Sequence, residues 1–253
     1  MKGHRRSKEW FDEDAFWRET FPFIFAEKRL ALADEMVDKA LRLTRLEGKA
    51  ALDLCCGPGR FSIALAQRGL SVTGVDRTKY LLDKARERAR GARVKVEWIQ
   101  KDMRDFVRRE AYDFVLSMFS SFGYFDVRGE DAIVLGNMFE SLRPGGALLI
   151  DLFGKETLAK SFQSALTETL PDGTMLVQQP KITDDWTRIV SEWTVIRKGR
   201  ARKYTLRLNL YSGHELRQAM ERAGFADVKL YGNLEGDAYG INATRLIAVG
   251  RKL

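Results

Sequence analysis

Ala50-Ala51-Leu52-Asp53-Leu54-Cys55-Cys56-Gly57-Pro58-Gly59-Arg60-Phe61 is the stretch that decides how this chain folds. A short apolar run stops at two glycines that bracket a proline. A helical stretch follows to Arg68, with Phe61, Ala64 and Leu65 on one face and Gly69 as its stop. Near-continuous apolar runs of this length read as strands buried on both faces, as in parallel sheets. Glycine at the turn permits positive φ and close approach of the backbone to a ligand. The helix start behind it offers free N–H groups and a partial positive charge, which suit a carboxylate or a phosphate equally.

The same unit recurs in type downstream. Residues 70–75 read as a strand ending at Asp76, 80–90 as a helix, and 94–99 as a strand ending near Lys101-Asp102-Met103. Then come a strand at 114–117, a helix at 132–142 and a strand at 147–152. Strands alternating with helices imply crossover connections and a parallel sheet. Past Leu152 the pattern changes to strands at 174–178, 188–196 and 202–211, the last two flanking a hairpin loop at Arg197-Lys198-Gly199-Arg200. Ser212 caps a helix that runs to Ala223 and stops at Gly224, and strands at 228–231 and 246–250 close the sheet. Ahead of the first strand, 9–47 reads as helical, with Trp10, Phe11, Phe16, Trp17, Phe21, Phe23 and Phe25 near its front.

Composition bounds the rest. The 253 residues are 45% hydrophobic, enough for a real core, and no apolar run is long enough to span a bilayer. The basic start, Met1 to Arg6, is not followed by a signal-peptide core, so a cytoplasmic protein is expected. The two cysteines are the neighbours Cys55 and Cys56, which close no useful loop and read as small buried side chains in a reducing setting. The net charge is +8, but both signs are mixed throughout, so a solvated basic surface is favoured over a nucleic-acid site. The basic candidates for the latter are Arg86, Arg88, Arg90, Arg93 and Lys95, then Lys198, Arg200, Arg202 and Lys203. No metal site is expected.

Asp76 sharpens the glycine loop. In a doubly wound sheet it lies beside the turn, where a carboxylate accepts both hydroxyls of a ribose, an arrangement that nicotinamide enzymes share. Three features then choose. The turn lacks the last Gly of G-x-G-x-x-G, since Phe61 and Ser62 follow Gly59. An acid, Asp102, follows the third strand next to Met103. Leu142-Arg143-Pro144-Gly145-Gly146-Ala147-Leu148-Leu149 carries a turn directly into a strand. Together with Val72-Thr73-Gly74-Val75-Asp76, Asp102-Met103-Arg104-Asp105-Phe106 and Tyr112-Asp113-Phe114-Val115-Leu116-Ser117, the set resembles class I S-adenosylmethionine-dependent methyltransferases over about residues 45–152, and the closing strand near 245–252 fits too. Ser117-Met118-Phe119-Ser120-Ser121-Phe122-Gly123-Tyr124 is similar to small-molecule members, notably sugar N,N-dimethyltransferases and relatives of glycine N-methyltransferase.

The resemblance implies a Rossmann-like, mostly parallel seven-stranded sheet with flanking helices, a helical lid over 1–45, a donor-binding domain from 46–154 and 212–253, and an inserted antiparallel subdomain at 155–211. S-adenosylmethionine is the implied cofactor. Gly57 and Gly59 then approach its methionine and adenosyl portions, and Asp53 orients the loop and meets the amino group through water. Asp76 with Arg77 beside it lies at the ribose, Asp102 accepts from the adenine amino group, and Met103 packs on the ring. Ser117 and Met118 form the floor near the sulfonium. Cys55 stands where the family usually has its first glycine.

Methyl transfer from a sulfonium is an in-line displacement, so the protein chiefly aligns the nucleophile and excludes water. The acceptor is expected to be a small molecule methylated on N or O. Trp17, Phe21, Tyr124, Trp193 and Tyr211 are the candidate acceptor-site residues. Glu192 and Trp193 alternate along a strand, so only one of them faces the pocket. The front aromatics read either as a lid or as helix packing, and Arg29 either as a donor-carboxylate ligand or as a surface residue. His4 falls in the basic tail and His214 in the first turn of the Ser212 helix, so no catalytic base is named. The competing readings are an RNA or DNA methyltransferase, a nicotinamide-dependent oxidoreductase, and a non-catalytic nucleotide-binding protein. The oligomeric state is left open.

Overall fold

Ala51 and Leu52, Phe114 and Val115, and Leu148 and Leu149 are neighbours along three strands, and each pair splits between two separate core layers. That is the two-residue period of a strand covered on both faces. The computed structural model describes residues 9–253. His4 and the rest of residues 1–8 lie outside the described residues.

The strands are β1 (Ala50–Leu54), β2 (Ser71–Asp76), β3 (Glu97–Gln100), β4 (Tyr112–Ser117), β5 (Leu142–Leu152), β6 (Leu166–Thr169), β7 (Met175–Thr183), β8 (Arg188–Arg197), β9 (Arg200–Asn209), β10 (Ala226–Tyr231) and β11 (Leu246–Arg251). The helices are α1 (Asp14–Ile24), α2 (Glu27–Ala31), α3 (Ala33–Thr44), α4 (Arg60–Gln67), α5 (Lys79–Gly91), α6 (Gly129–Ser141), α7 (Lys155–Ser161) and α8 (Gly213–Arg222). A seven-stranded sheet runs β10-β11-β5-β4-β1-β2-β3. β1 to β5 are parallel, and β11 is antiparallel to both β5 and β10. One face packs on Val134, Leu135 and Met138 of α6 and on Leu216 and Met220 of α8. The other packs on Val37 and Ala40 of α3 and on Phe61, Ala64 and Leu65 of α4. This is the mixed α/β architecture that the sequence implies.

The departures have local causes. The stretch 9–47 is not one helix but a 3₁₀ turn at Trp10–Asp12 followed by α1, α2 and α3. α1 stops two residues past Pro22, which donates no N–H, and Ala26 is extended before α2 begins. β3 starts three residues later than 94, because the Val94 N–H closes the end of α5 on the Ala89 carbonyl and Arg93 has φ +57°. β5 starts at Leu142, five residues early. The Leu142–Gly146 turn is absorbed as a register shift between the Tyr112–Leu142 and Phe114–Ala147 pairs.

The small antiparallel sheet has four strands, in the order β6-β7-β8-β9, rather than three. β6 (Leu166-Thr167-Glu168-Thr169) carries no apolar alternation that marks it as a strand. β7 runs on to Thr183 through Pro180. β6 pairs only as far as Gln178, so Pro180 lies where the outer side of β7 is an edge and needs no donor. Lys198 (φ +48°) and Gly199 (φ +74°) form the two-residue hairpin loop between β8 and β9. Ser212 caps α8: its hydroxyl accepts from Glu215 N at 3.1 Å, and the Glu215 carboxylate accepts from Ser212 N at 2.8 Å. The inner face of the small sheet (Leu176, Val195, Tyr204 and Leu206) is buried against Phe16 and Phe23 of α1, which ties the front helices to it. Among the described residues no helix is long and apolar enough to cross a membrane.

Candidate functional site

Strand order reverses at β1, with β2 on one side and β4 on the other. The crevice at the carboxyl ends of such strands is where doubly wound sheets bind ligands. Here it holds a cavity of about 640 Å³, closed over by the front aromatics and the small sheet.

The glycine loop enters this cavity under strain. Cys55 (φ +63°), Gly57 (φ +54°) and Gly59 (φ +74°) are all left-handed. Asp76 pins the loop to the end of β2, accepting from Gly57 N at 2.9 Å on one oxygen and from Thr78 N at 2.8 Å on the other. Burial raises the Asp76 carboxyl, and those backbone donors oppose the shift. Burial also pushes Asp53 up to about 6, against the hydrogen bond from the Ser62 hydroxyl at 2.6 Å. Both Cys55 and Cys56 are free thiols, and burial raises them, so they behave as inert small side chains. The Cys55 sulfur sits 3.4 Å from that of Met103.

Past β3 the cavity ends at an ionic cluster. Burial alone would raise Asp102, but Arg104 outweighs it and holds the carboxyl below its usual range. Arg104 donates to Asp102 from its backbone N at 2.8 Å, Nε at 3.0 Å and Nη2 at 2.8 Å. The Arg77 guanidinium lies 3.3 Å from the other side of the same carboxylate. Three of the roughly four acceptor positions of the carboxylate to which the resemblance assigns an adenine amino group are thus taken by Arg104. Arg104 also holds Glu9 at 2.8 Å and Glu130 at 3.1 Å, and Arg77 pairs with Asp12. Two guanidiniums thereby fasten the 3₁₀ turn at Trp10–Asp12 over this end. Trp10 and Phe11 then pack on Tyr124, with ring centroids 5.0 and 5.7 Å apart.

The opposite wall comes from Phe119, Phe153, Arg245, Arg60 and Arg29, and from Glu168, Gln178 and Trp193 of the small sheet. Asp151 fixes it, accepting from Phe119 N at 2.9 Å and from Arg245 Nε at 2.6 Å. That bond holds the left-handed pair Phe119 (φ +58°) and Ser120 (φ +59°) in place.

Residues 51–146 match the family described as a methyltransferase domain. That match over residues 51–146 and the sheet order together support the class I methyltransferase reading.

The chain is 32% identical over 128 residues to cypemycin N-terminal methyltransferase from a Streptomyces species, covering 51% of either protein. It is 31% identical over 120 residues to dTDP-3-amino-3,4,6-trideoxy-alpha-D-glucopyranose N,N-dimethyltransferase of Streptomyces venezuelae, covering 47% of this chain and 49% of that one. The chain thus spans about half the length of the curated relatives it matches. In fold it is similar to an S-adenosylmethionine-dependent methyltransferase from Clostridium acetobutylicum ATCC 824, with TM-score 0.77 and 13% identity over 94% of this chain and 98% of that one. The cofactor of this class is S-adenosylmethionine. The donor set of the cavity fits it: a carboxylate at the end of β2, a loop that brings backbone close, and a buried guanidinium nitrogen with no partner, Arg60 Nε.

Within the methyltransferase domain the cavity brings together Asp53, Cys55, Gly57, Asp76, Arg77, Asp102, Met103 and Met118. It leaves out Gly59 and Ser117. Gly59 faces the Trp98 ring, and Ser117 is buried at the end of β4. Of the acceptor candidates, Trp17, Tyr124 and Trp193 line the cavity. Phe21 instead packs on Phe25 and Tyr80, with centroids 5.2 and 5.8 Å apart. Tyr211 stacks on Phe122 and donates to Asp131 at 2.6 Å, away from the cavity. Glu192 points to Lys203, 2.8 Å away, on the other face of β8 from Trp193. Arg29 lines the cavity but is bound to Glu168 at 2.9 Å. His214 does not line it. Arg86, Arg90 and Lys95 line a separate depression beside β2.

Arg60 in the cavity wall, and Arg104 and Glu9 at the cavity's end, are residues that sequence reading did not single out. Both arginines sit inside quoted motifs, but the carboxylates around Arg104 and the want of one beside Arg60 are visible only in the fold.

Proposed function

We propose that this protein transfers a methyl group from S-adenosylmethionine to a nitrogen or oxygen atom of a small molecule. The observation that carries this is Asp76, bound to Gly57 N at the mouth of the glycine loop and facing the same cavity as Trp193 of the small sheet. One chamber therefore serves a nucleoside-bearing donor and a second ligand.

S-adenosylmethionine, when bound, supplies a methyl group already activated on sulfur. The chain's share is alignment and exclusion of water. Asp76 would hold the ribose hydroxyls, and Gly57 and Cys55 would flank the methionine portion. Met103 would pack beside the base. The faces of Trp10 and Tyr124 favour a cation in the chamber. The acceptor would lie against Trp17, Trp193 and Gln178. The similarity to the Streptomyces venezuelae aminosugar dimethyltransferase directs the acceptor search first to amino sugars and small amines. No base is assigned: burial drives the Tyr124 hydroxyl well above its usual range, which keeps it protonated.

Calorimetry with S-adenosylmethionine, S-adenosylhomocysteine and NAD tests the reading. The two adenosyl ligands are expected to bind and NAD is not. Asp76→Ala is expected to weaken the adenosyl ligands by about 1–3 kcal/mol, the cost of leaving polar groups unpaired. Binding of NAD alone would return the loop to a dinucleotide site.

A further inference from the structure

Three guanidiniums line the wall around Phe119, and two of them have carboxylate partners. Arg29 is bound to Glu168, and Arg245 to Asp151. Arg60 makes no ion pair with any described residue. It is 7% exposed, its Nε is buried without a partner, and its one hydrogen bond runs from Nη1 to the Arg29 carbonyl at 3.2 Å. The acids nearest to it are committed elsewhere, Asp53 to Ser62, and Asp151 to Arg245 and Phe119 N. Two rings pack on the guanidinium, with Cζ 3.8 Å from the Phe119 centroid and 4.6 Å from that of Phe61.

A buried cation with no ion-pair contact costs stability, and an apolar side chain of similar volume would cost less. A chain that keeps it has another use for it. Arg60 is also the first residue of α4, so its charge adds to the field of that helix start.

We propose that Arg60 is the anion anchor of the cavity, receiving a carboxylate or phosphate of a bound ligand through its free guanidinium edge. This deepens the donor-site reading and rests on it. The anion is either the carboxylate of the donor or an acidic group on the acceptor.

The test is calorimetry on wild type and Arg60→Met with three probes: S-adenosylhomocysteine, 5′-methylthioadenosine (which has no carboxylate), and inorganic phosphate added to free and to S-adenosylhomocysteine-saturated protein. If the donor supplies the anion, Arg60→Met weakens S-adenosylhomocysteine at least tenfold and leaves 5′-methylthioadenosine unchanged. If the acceptor supplies it, both adenosyl ligands are unchanged, and phosphate binds the saturated wild type but not the saturated variant. Wild-type behaviour of Arg60→Met toward all three probes overturns the proposal. Failure of wild type to bind either adenosyl compound overturns the donor reading instead, and phosphate on the free proteins then decides the role of Arg60 alone. Free Arg60→Met is expected to melt no lower than wild type. A lower melting temperature together with unchanged binding marks a structural residue and also overturns the proposal. If the Met variant does not fold, Arg60→Gln is read by the same criteria.

Discussion

A β-carbon on Gly59 would lie 2.6 Å from Cη2 of Trp98, and one on Gly74 would lie equally close to Cζ3 of the same ring. Trp98 of β3 thus closes on the glycine loop from behind. The glycine at 59 answers to an indole and to its own φ of +74°. Gly59→Ala is therefore expected to cost about 1–3 kcal/mol, by overpacking and left-handed strain together. Trp98→Leu in the same chain should restore only the overpacking part. Urea denaturation of the two single variants and the double variant measures the split; additive losses would contradict the contact.

Cys55 holds φ +63° without being glycine. Cys55→Gly is expected to relieve roughly 1 kcal/mol of backbone strain while losing the packing of its sulfur on Met103. Stability near wild type with donor binding intact is the expected result. Cys55→Val, β-branched in the same conformation, should be clearly destabilised. A Val variant as stable as the Gly variant would show that the loop relaxes.

Asp53 gives the protein a pH signature. Its carboxyl rises from 3.8 in the unfolded chain to about 6 in the fold because it is buried. The folded state holds that proton more tightly, so the contribution is complete below pH 3.8 and is lost as pH rises through 6. The loss amounts to at most about 3 kcal/mol. Wild type should therefore lose stability relative to Asp53→Asn between pH 4 and 7.5. A difference that does not change with pH would mean that Asp53 stays charged throughout.

Arg104 ties Asp102, Glu9 and Glu130 together, and its side chain is 2% exposed. Arg104→Met leaves three carboxylates facing one another, at an expected cost of about 3–5 kcal/mol. The segment carrying Trp10 and Phe11 should also become open to limited proteolysis well below the global unfolding midpoint. Protection equal to wild type would mean that aromatic packing alone holds the cover down.

The alternation of strands and helices from Ala50 to Leu152 is short-range information, so the main sheet is legible in the sequence. The glycine loop and Asp76 are marked by local pattern, whereas Met103 is singled out through the family resemblance. β6 is not, because Leu166-Thr167-Glu168-Thr169 becomes a strand only by pairing with β7. The reach of Arg104 to Glu9, 95 residues away, leaves no mark on local pattern. Tyr211 and Phe21 mislead for a related reason. An aromatic next to a pocket motif packs on whatever the fold brings, here Phe122 and Tyr80.

None of the strands β6 to β9 pairs with the seven-stranded sheet. The chain leaves that sheet at the end of β5 and rejoins it at β10, so the wall bearing Glu168, Gln178 and Trp193 is built apart from the strand that carries Asp76. That wall can change residue by residue while the bonds from Gly57 N and Thr78 N to Asp76 stay in place. On the proposed reading, substitutions in that wall would change which acceptor is taken and leave the grip on the donor as it is.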